Sequence, residues 1–357
     1  MNRLEAKMIK IGRDSRITAK AAGLRYVEDR TKGFYRKKVG KGFSYVDHQG
    51  ETVKDKELLE RFKSLVIPPA YEDVWISPYL NGHLQFTGYD VKGRKQYRYH
   101  ADWNSIRNQS KFFRMRNFAV ALPGIRKQVE KDLKRKELPF EKVMALVVKL
   151  IELTHIRIGN ESYSKLYGSF GLTTLKDRHV KFDGANVNFA FKGKKGVYHE
   201  IELHSKKLAN LVKKCQDIPG KELFQYYDED GKHYSIGSGD VNNYLKEITG
   251  EDFTAKDFRT WAGSVHALCA FKSLGELDSE KDTKKNIVSV IDDVAKKLGN
   301  TRTVCKKYYI HPSVISSYEK GNLHKYNVKN SPKTLLTTEE RLLVKLLDTE
   351  LIAKAMG

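Results

Sequence analysis

One tyrosine and three basic residues could together carry out nucleophilic chemistry on a phosphate. Tyr309 lies in the segment GNTRTVCKKYYIHPSVI, and a tyrosine hydroxyl can act as a covalent nucleophile. Arg157 follows a long apolar helical run, Lys194 lies at a predicted hairpin tip, and Arg259 lies within TAKDFRTWAGS. Fixed cations of this kind can stabilise the negative charge that develops during such a transfer.

Each of these residues alone also fits an ordinary structural role. Arginine near a helix end favours the local dipole, and a hairpin lysine is usually solvated. Arg259 is expected to be buried among Phe253, Phe258 and Trp261, and a buried arginine should need an anionic partner. The chain has 19 tyrosines, so Tyr309 is not distinguished by its type. Spacing alone therefore does not establish a catalytic site.

Several familiar chemistries lack their motifs in this chain. There is no GxxxxGK[ST] loop for nucleoside triphosphates, no HExxH and no GxSxG elbow. The three cysteines are far apart and form no CxxC pair, so neither a cysteine zinc site nor a disulfide framework is expected. The acidic cluster Asp228-Glu229-Asp230 precedes Gly231 and predicts a hairpin turn rather than a magnesium site. We expect no metal, no nucleotide and no other cofactor.

The charge of the chain favours a nucleic-acid partner. Its 66 Lys and Arg residues exceed its 44 Asp and Glu residues, which gives a formal charge of +22. The basic residues alternate with aromatic ones in FYRKK, RKQYRYH and KFFRMR, as on a folded surface that contacts phosphates and bases. A ribosomal or merely solubilising basic surface is the alternative interpretation of charge alone.

Apolar patterning indicates a soluble protein of a reducing, cytoplasmic setting. No stretch of about 18 apolar residues occurs, and the start MNRLEAKMIKIGRD has no apolar leader core. We expect no membrane association.

The first hundred residues have a β-like texture. FYRKKVGKGFSYVDHQGETV predicts strands broken by turns, and HLQFTGYDVKGRKQYRYH predicts two strands joined at Val91-Lys92-Gly93. A short helix is expected from about Asp55 to Lys63. We therefore predict a small, mostly β domain over residues 1–102, joined around residues 100–106 to a second domain.

The remaining residues, 103–357, have mostly helical periodicity. A buried helix beginning near Phe140 is predicted to stop at residues 157–160, with Gly159 as its cap. A small hairpin sheet follows, with a turn at residues 193–196. Further helices are predicted at 240–248 and 254–271, and the last begins near the capping box Thr337-x-x-Glu340. An amphipathic helix between them is predicted to carry Ile287, Val290, Ile291, Val294 and Leu298. The fold class is thus α+β, with a larger, mostly helical second domain.

Four ordered motifs resemble those of the type IB DNA topoisomerases, in particular the poxvirus-like and bacterial members. LTHIRIGNESY resembles the family segment that carries the first catalytic arginine, and FKGKKG resembles the hairpin that carries the catalytic lysine. TAKDFRTW resembles the segment with the second catalytic arginine, and CKKYYIHP resembles the segment with the nucleophilic tyrosine. The resemblance covers about residues 20 to 320 and includes the small clamp domain. It implies the topoisomerase and tyrosine-recombinase fold, with Arg157, Lys194, Arg259 and Tyr309 as catalytic residues.

The chain departs from the poxviral and eukaryotic pattern at one position. Those members have a histidine nine residues before the nucleophile, where this chain has Asn300. Asparagine occurs there in bacterial-type members, and its amide can donate a hydrogen bond to a phosphate oxygen, although it cannot act as an acid or base. The resemblance therefore keeps Asn300 in the predicted site. It also implies a bacterial enzyme that acts at the nucleoid in the cytoplasm.

The resemblance implies an ATP- and metal-independent enzyme that nicks one strand of supercoiled duplex DNA through a 3′-phosphotyrosyl link, lets the helix swivel and reseals it. It also implies a monomer that clamps the duplex. Gln96, Tyr97 and Tyr99 match family positions in the major groove, and Arg94, Lys95 and Arg98 are expected to contact phosphates or bases nearby.

Two alternatives remain. Tyrosine recombinases share the catalytic residues but usually have a histidine three residues before the second arginine. This chain has Lys256 at that position, as topoisomerases do. We also expect Lys256 to contact DNA. The other alternative is a non-catalytic DNA-binding protein of the same fold.

Overall fold

The structure is a computed structural model that describes residues 14–40, 42–91, 93–275, 279–329 and 334–356. It divides into two compact units, an amino-terminal unit up to Arg114 and a carboxyl-terminal unit from Met115. The division falls inside one long helix, Ala101–Asp132, whose first turn contains the boundary at residue 102 expected from the sequence. No helix in the described ranges is long and apolar enough to span a bilayer.

The amino-terminal unit is built on a five-stranded antiparallel sheet. Its elements are α1 (Ser15–Ala21), β1 (Phe34–Val39), β2 (Gly42–Val46), α2 (Lys56–Ser64), β3 (Glu72–Ile76), β4 (Leu84–Tyr89) and β5 (Lys95–Tyr99). The strand order is β2-β1-β3-β4-β5, so β5 lies at an edge of the sheet. The predicted β texture, the hairpin of β4 and β5 and the short helix are confirmed.

Apolar side chains from α2 and the middle of the sheet form the core of this unit. Phe62 of α2 packs with Val74, Ile76 and Phe86, all almost fully buried. Asp55 begins α2 because its carboxylate accepts the backbone N–H groups of Glu57 and Leu58. This packing holds one side of the sheet and leaves edge strand β5 with exposed side chains.

The carboxyl-terminal unit is mostly helical. It contains the second part of α3 (Ala101–Asp132), the helix that crosses the boundary between the units. Its other helices are α4 (Phe140–Thr154), α5 (Glu161–Tyr167), α6 (Lys206–Gln216), α7 (Ser238–Thr249), α8 (Ala255–Ser273), α9 (Glu280–Leu298), α10 (Arg302–Tyr308), α11 (Pro312–Glu319) and α12 (Thr338–Met356). Its strands are β6 (Val180–Asp183), β7 (Asn186–Lys192), β8 (Tyr198–His204), β9 (Gln225–Tyr227) and β10 (His233–Ser235). The predicted α+β class is therefore confirmed.

Helix α4 is the centre of this unit, and its end differs from the prediction. Ten of the 15 residues of α4 are buried. The helix ends at Thr154 and is capped by His155 in the left-handed conformation, with φ of 56°, so the prediction that it runs to Gly159 was wrong. Gly159 has a positive φ of 106° in the extended segment that follows.

The small sheet has one more strand than the sequence indicated. β6, β7 and β8 form an antiparallel sheet in that order, and β6 was not predicted. Asp228, Glu229 and Asp230 lie between β9 and β10, as expected of a hairpin turn. The predicted capping box is also confirmed, because Thr337 and Glu340 each accept the other's backbone N–H.

Candidate active site

Arg157 lies in a backbone segment that is fixed by a neighbouring loop. The N–H of Leu172 donates to the Arg157 carbonyl at 2.9 Å, and that of Thr173 donates to the Ile158 carbonyl at 2.7 Å. A Cβ on Gly171 would lie 2.4 Å from the Arg157 carbonyl oxygen, so only glycine permits this approach. The guanidinium therefore extends from a rigid extended segment rather than from the end of a helix.

The side chain of Arg157 joins this segment to the end of α9. It donates to the Gly299 carbonyl at 2.8 Å and to the Asn300 side-chain oxygen at 2.5 Å. Gly299 ends α9 in the left-handed conformation, with φ of 58°, and so directs Asn300 back towards Arg157. Burial, with Arg259 nearby, lowers the pKa of Arg157 to about 10, so it stays protonated at neutral pH.

Arg259 is buried in α8, with only 4 % of its surface exposed. Its guanidinium donates to the backbone carbonyls of His155 and Leu298, the latter at 2.6 Å. Among the described residues it forms no ion pair, so the described part of the protein does not supply the expected anionic partner. Burial lowers its pKa, and the Nε–H is buried without a hydrogen-bond acceptor in the described structure.

Tyr309 follows α10 and lies against Arg259. The guanidinium carbon of Arg259 is 5.3 Å from the centre of the Tyr309 ring, within the range of a cation–π contact. Helix α8 approaches the tyrosine backbone closely, because a Cβ on Gly263 would lie 2.7 Å from the Tyr309 carbonyl oxygen. Ser264 accepts the His311 N–H at 2.9 Å and lies 3.2 Å from the same carbonyl. One helix thus carries the arginine and holds the backbone of the tyrosine.

Lys194 lies between β7 and β8 at the tip of the predicted hairpin, and its side chain is exposed. It lines the same cleft as Arg157 and Arg259. The other titratable groups lining this cleft are Lys297, His155 and His199. None of its described lining residues is a carboxylate, so the cleft is strongly suited to an anion.

Two buried groups beside the site are neutral. Burial raises the pKa of the Cys305 thiol to about 11, so this cysteine is not a thiolate at neutral pH. Burial, together with His266 and Arg259, lowers the pKa of His155 to about 4, which leaves its ring uncharged. Neither group therefore competes with the Tyr309 hydroxyl as the candidate nucleophile.

Comparison with known proteins places the chain in a family. The family model described as "Eukaryotic DNA topoisomerase I, catalytic core" matches residues 100–335, and "Bacterial DNA topoisomerase IB, N-terminal domain" matches residues 42–90. A relative named "DNA topoisomerase 1B" from Acanthamoeba polyphaga mimivirus is 32% identical over 80% of this chain and 88% of its own length. The vaccinia virus protein of the same name is 26% identical over 71% of this chain and 77% of its own. The chain belongs to the type IB DNA topoisomerases, a class of isomerases.

Six of the predicted DNA-contacting residues lie on β5 and the turn before it, and the seventh, Lys256, lies in the first turn of α8. Arg94 pairs with Asp90 at 2.5 Å, and Lys95 pairs with Asp29 at 2.5 Å. The amide of Gln96 also donates to Asp90, at 2.9 Å. Two of the cations are therefore already matched with carboxylates of their own unit.

The two tyrosines and the remaining cation of β5 are differently placed. Tyr97 is 51 % exposed and stacks with Tyr99, whose pKa is raised by burial. Arg98 is exposed, as is Lys256 in the first turn of α8. These exposed groups could contact DNA, whereas Tyr99 is half-buried against Trp103.

Sequence reasoning missed three residues of the site. Gly263 and Ser264 lie within TAKDFRTWAGS, one helical turn after Arg259. Two small residues at this place could have indicated that another segment packs closely against the helix. His199 on β8 gave no comparable signal, because its neighbours in the cleft come from distant parts of the chain.

Proposed function

We propose that this protein relaxes supercoiled duplex DNA by cutting one strand with Tyr309, letting the cut strand swivel and rejoining it. The observation that supports this most is the contact of Tyr309 with a buried arginine that has no carboxylate partner among the described residues. A cation held in this way retains its full charge for an arriving phosphate.

The first step is in-line attack of the Tyr309 hydroxyl on a DNA phosphodiester. The bond from the phenol oxygen to phosphorus forms and the bond from phosphorus to the 5′-oxygen breaks, leaving a 3′-phosphotyrosyl link and a 5′-hydroxyl. A tyrosine has an ordinary pKa of about 10, so the phenol must lose its proton as it attacks. Arg259 and Arg157 favour the developing phenolate and bind the non-bridging phosphate oxygens.

Lys194 donates the proton that the departing 5′-oxygen needs. An alkoxide is a poor leaving group, and general acid catalysis of this kind contributes about 10²–10⁴-fold. The exposed hairpin position lets the ammonium reach a bound duplex from the rim of the cleft. Asn300, whose oxygen accepts from Arg157, holds that arginine and offers its amide group to a phosphate oxygen.

Resealing reverses these steps without ATP. The phosphotyrosyl bond replaces a phosphodiester of similar energy, so the 5′-hydroxyl can attack it once the strand has swivelled. The permanent arginine charges take the role that a divalent ion has in other phosphoryl-transfer enzymes. We therefore propose a reaction that proceeds without metal or nucleotide.

The amino-terminal unit is proposed to bind the duplex as part of a monomeric clamp. Gln96, Tyr97 and Tyr99 would read or contact the groove, and Arg94, Lys95, Arg98 and Lys256 would contact phosphates or bases. Binding to several phosphates should fall steeply with added salt. Such an enzyme acts wherever the cell keeps its DNA, which for a bacterial host is the nucleoid in the cytoplasm.

The test is relaxation of a supercoiled plasmid by Tyr309→Phe, in EDTA and without ATP, with Tyr308→Phe as the matched control. We expect Tyr309→Phe to bind DNA yet lose both relaxation and the covalent adduct, because the attacking oxygen is gone. Tyr308→Phe should retain both activities. Normal relaxation by Tyr309→Phe would overturn the proposal.

The same assay separates the two alternatives. A recombinase would act only on DNA that carries paired recombination sites, whereas the proposed enzyme relaxes any supercoiled circle as a monomer. A non-catalytic DNA-binding protein would bind the plasmid and leave its topology unchanged in every variant.

A further inference from the structure

His199 occupies a defined place beside the catalytic cleft. It lies on β8 directly opposite Phe191 of β7, and the two rings stack with centres 5.2 Å apart. Phe191 is almost fully buried, so it provides a fixed platform for the imidazole. The ring of His199 is thus held close to the turn that carries Lys194, at the second residue pair of the hairpin.

Two glycines from separate segments leave the space that this ring fills. A Cβ on Gly193 would lie 2.5 Å from Cδ2 of His199, and a Cβ on Gly299 would lie 2.3 Å from its Cε1. Gly193 directly precedes Lys194, and Gly299 directly precedes Asn300 and accepts a hydrogen bond from Arg157. The imidazole therefore separates the segment with the proposed proton donor from the segment that holds Arg157.

The charges around the ring favour its neutral form. Burial lowers the pKa of His199, and the positive charges of Arg157 and Arg259 lower it further. The cleft also contains Lys194, Lys297 and the neutral His155. The imidazole makes no hydrogen bond to a described residue, so it contacts its described neighbours through van der Waals packing.

We propose that His199 is a positioning residue that sets the distance of Lys194 from Arg157 and Asn300. This inference rests on the proposed function, in which Lys194 protonates the 5′-oxygen. Without the imidazole, the hairpin tip could move towards the Gly299 turn by the thickness of a ring. A displacement of about 1 Å can lower a rate by about 10²-fold.

A sulfur-substituted substrate distinguishes this role from general damage to the site. In DNA whose scissile 5′-oxygen is replaced by sulfur, the leaving thiolate needs no proton, because a thiol has a much lower pKa than an alcohol. Single-turnover cleavage of both substrates is measured for His199→Ala, Lys194→Ala and Arg157→Ala, together with DNA binding and the melting temperature. His204→Ala, an exposed histidine on the same strand, is the matched control.

We expect His199→Ala to cleave normal DNA about 10- to 10²-fold more slowly and to recover to near the wild-type rate on the sulfur substrate. Lys194→Ala should recover in the same way, Arg157→Ala should not, and His204→Ala should match the wild type on both. If Lys194→Ala recovers and His199→Ala does not, the inference is overturned while the proposed function stands. If Lys194→Ala itself does not recover, the proposed role of Lys194 is wrong.

A double-mutant cycle tests the same contact without relying on His199→Ala alone. Gly193 has φ of −93°, which alanine adopts without strain, so Gly193→Ala acts only by pressing a methyl group against the imidazole. Gly193→Ala should slow cleavage of normal DNA, and adding it to His199→Ala should produce no further loss. Rate losses that multiply independently would contradict the proposed contact.

Discussion

Two buried arginines of the carboxyl-terminal unit have opposite surroundings. Arg126 of α3 pairs with Glu152 at 2.6 Å and with Glu340 at 2.7 Å, and these two carboxylates raise its pKa against the effect of burial. Arg259 of α8 donates to two backbone carbonyls, and burial lowers its pKa. The first charge is neutralised within the protein and the second is not.

This difference separates a structural cation from a functional one. The Arg126 cluster ties α3, α4 and the start of α12 together, and Trp261 of α8 also donates to Glu340, at 3.0 Å. The carbonyls around Arg259 orient its guanidinium without neutralising it, and we propose that a DNA phosphate is its first anionic partner. A buried, uncompensated charge costs stability, and that cost is expected where a site is preorganised for an anion.

The largest expected effect is on stability, at Arg126. Replacing it by alanine leaves Glu340 buried beside Trp261 without its cation, and breaking a buried pair in this way costs about 3–5 kcal/mol. Urea unfolding should show this loss for Arg126→Ala, whereas the cleavage rate of the folded variant should stay near that of the wild type. Lys284→Ala, which breaks an exposed pair with Glu280, is the control and should unfold at the wild-type midpoint.

Arg259→Ala should show the reverse pattern. Removing one preorganised donor to a developing negative charge lowers a rate by about 10²–10³-fold, so single-turnover cleavage should fall by that factor. Its free energy of unfolding should fall by less than that of Arg126→Ala, because a poorly compensated buried charge is removed with it. A stable, fully active Arg259→Ala would contradict the distinction between the two arginines.

Acid should weaken the Arg126 cluster in a predictable direction. Burial alone would raise the pKa of Glu340, but hydrogen bonds from Arg126, Thr337 and Trp261 outweigh it and lower the pKa below its ordinary value near 4.5. The stability from this carboxylate is therefore present above that ordinary pKa and is lost as the pH falls through the lowered value. The stability gap between wild type and Glu340→Gln should be widest at neutral pH and narrow on acidification. If the stability difference between the two proteins instead widens in acid, the pKa of Glu340 is not lowered by folding.

The smallest expected effect is on DNA binding by the amino-terminal unit. It concerns Lys95, which is paired with a carboxylate, as Arg126 is, but lies nearer the surface. Asp29 pairs with Lys95 on β5 and raises the pKa of that lysine. Asp29→Asn should leave Lys95 free to bind a phosphate, tightening DNA binding a few-fold and steepening the dependence of log affinity on log salt by about 0.9. Asp47→Asn is the matched control, because it makes the same change in net charge at the turn after β2. It should change the slope of log affinity against log salt by less than Asp29→Asn does. Equal slopes for both variants would show that Lys95 does not contact DNA.

The sequence predicted the architecture well where local periodicity decides it. The β-rich start, the buried run of α4, the hairpin with Lys194 and the capping box at Thr337 all follow from patterns within about twenty residues. The end of α4 was mispredicted because His155 takes the left-handed conformation that glycine usually supplies. Its carbonyl then accepts from Arg259, which lies far along the chain.

The residues of the candidate site were proposed from the family motifs, whereas the charges and hydrogen bonds around them could not be predicted from the sequence. An anionic partner was expected for Arg259 because burial of a lone charge is unfavourable, but the partners are carbonyls of His155 and Leu298. Which carbonyls meet a guanidinium depends on the packing of α4, α8 and α9. The place of His199 likewise depends on two glycines in separate segments.

The central claim is that fixed arginine charges make Tyr309 a reversible acceptor for a DNA phosphate. Its most direct test is to trap the covalent adduct in EDTA without nucleotide and to map the modified residue by mass spectrometry. We predict a phosphotyrosyl group on Tyr309 joined to the 3′ end of the cut strand. An adduct on any other residue, or cleavage that requires a divalent ion, would contradict the account.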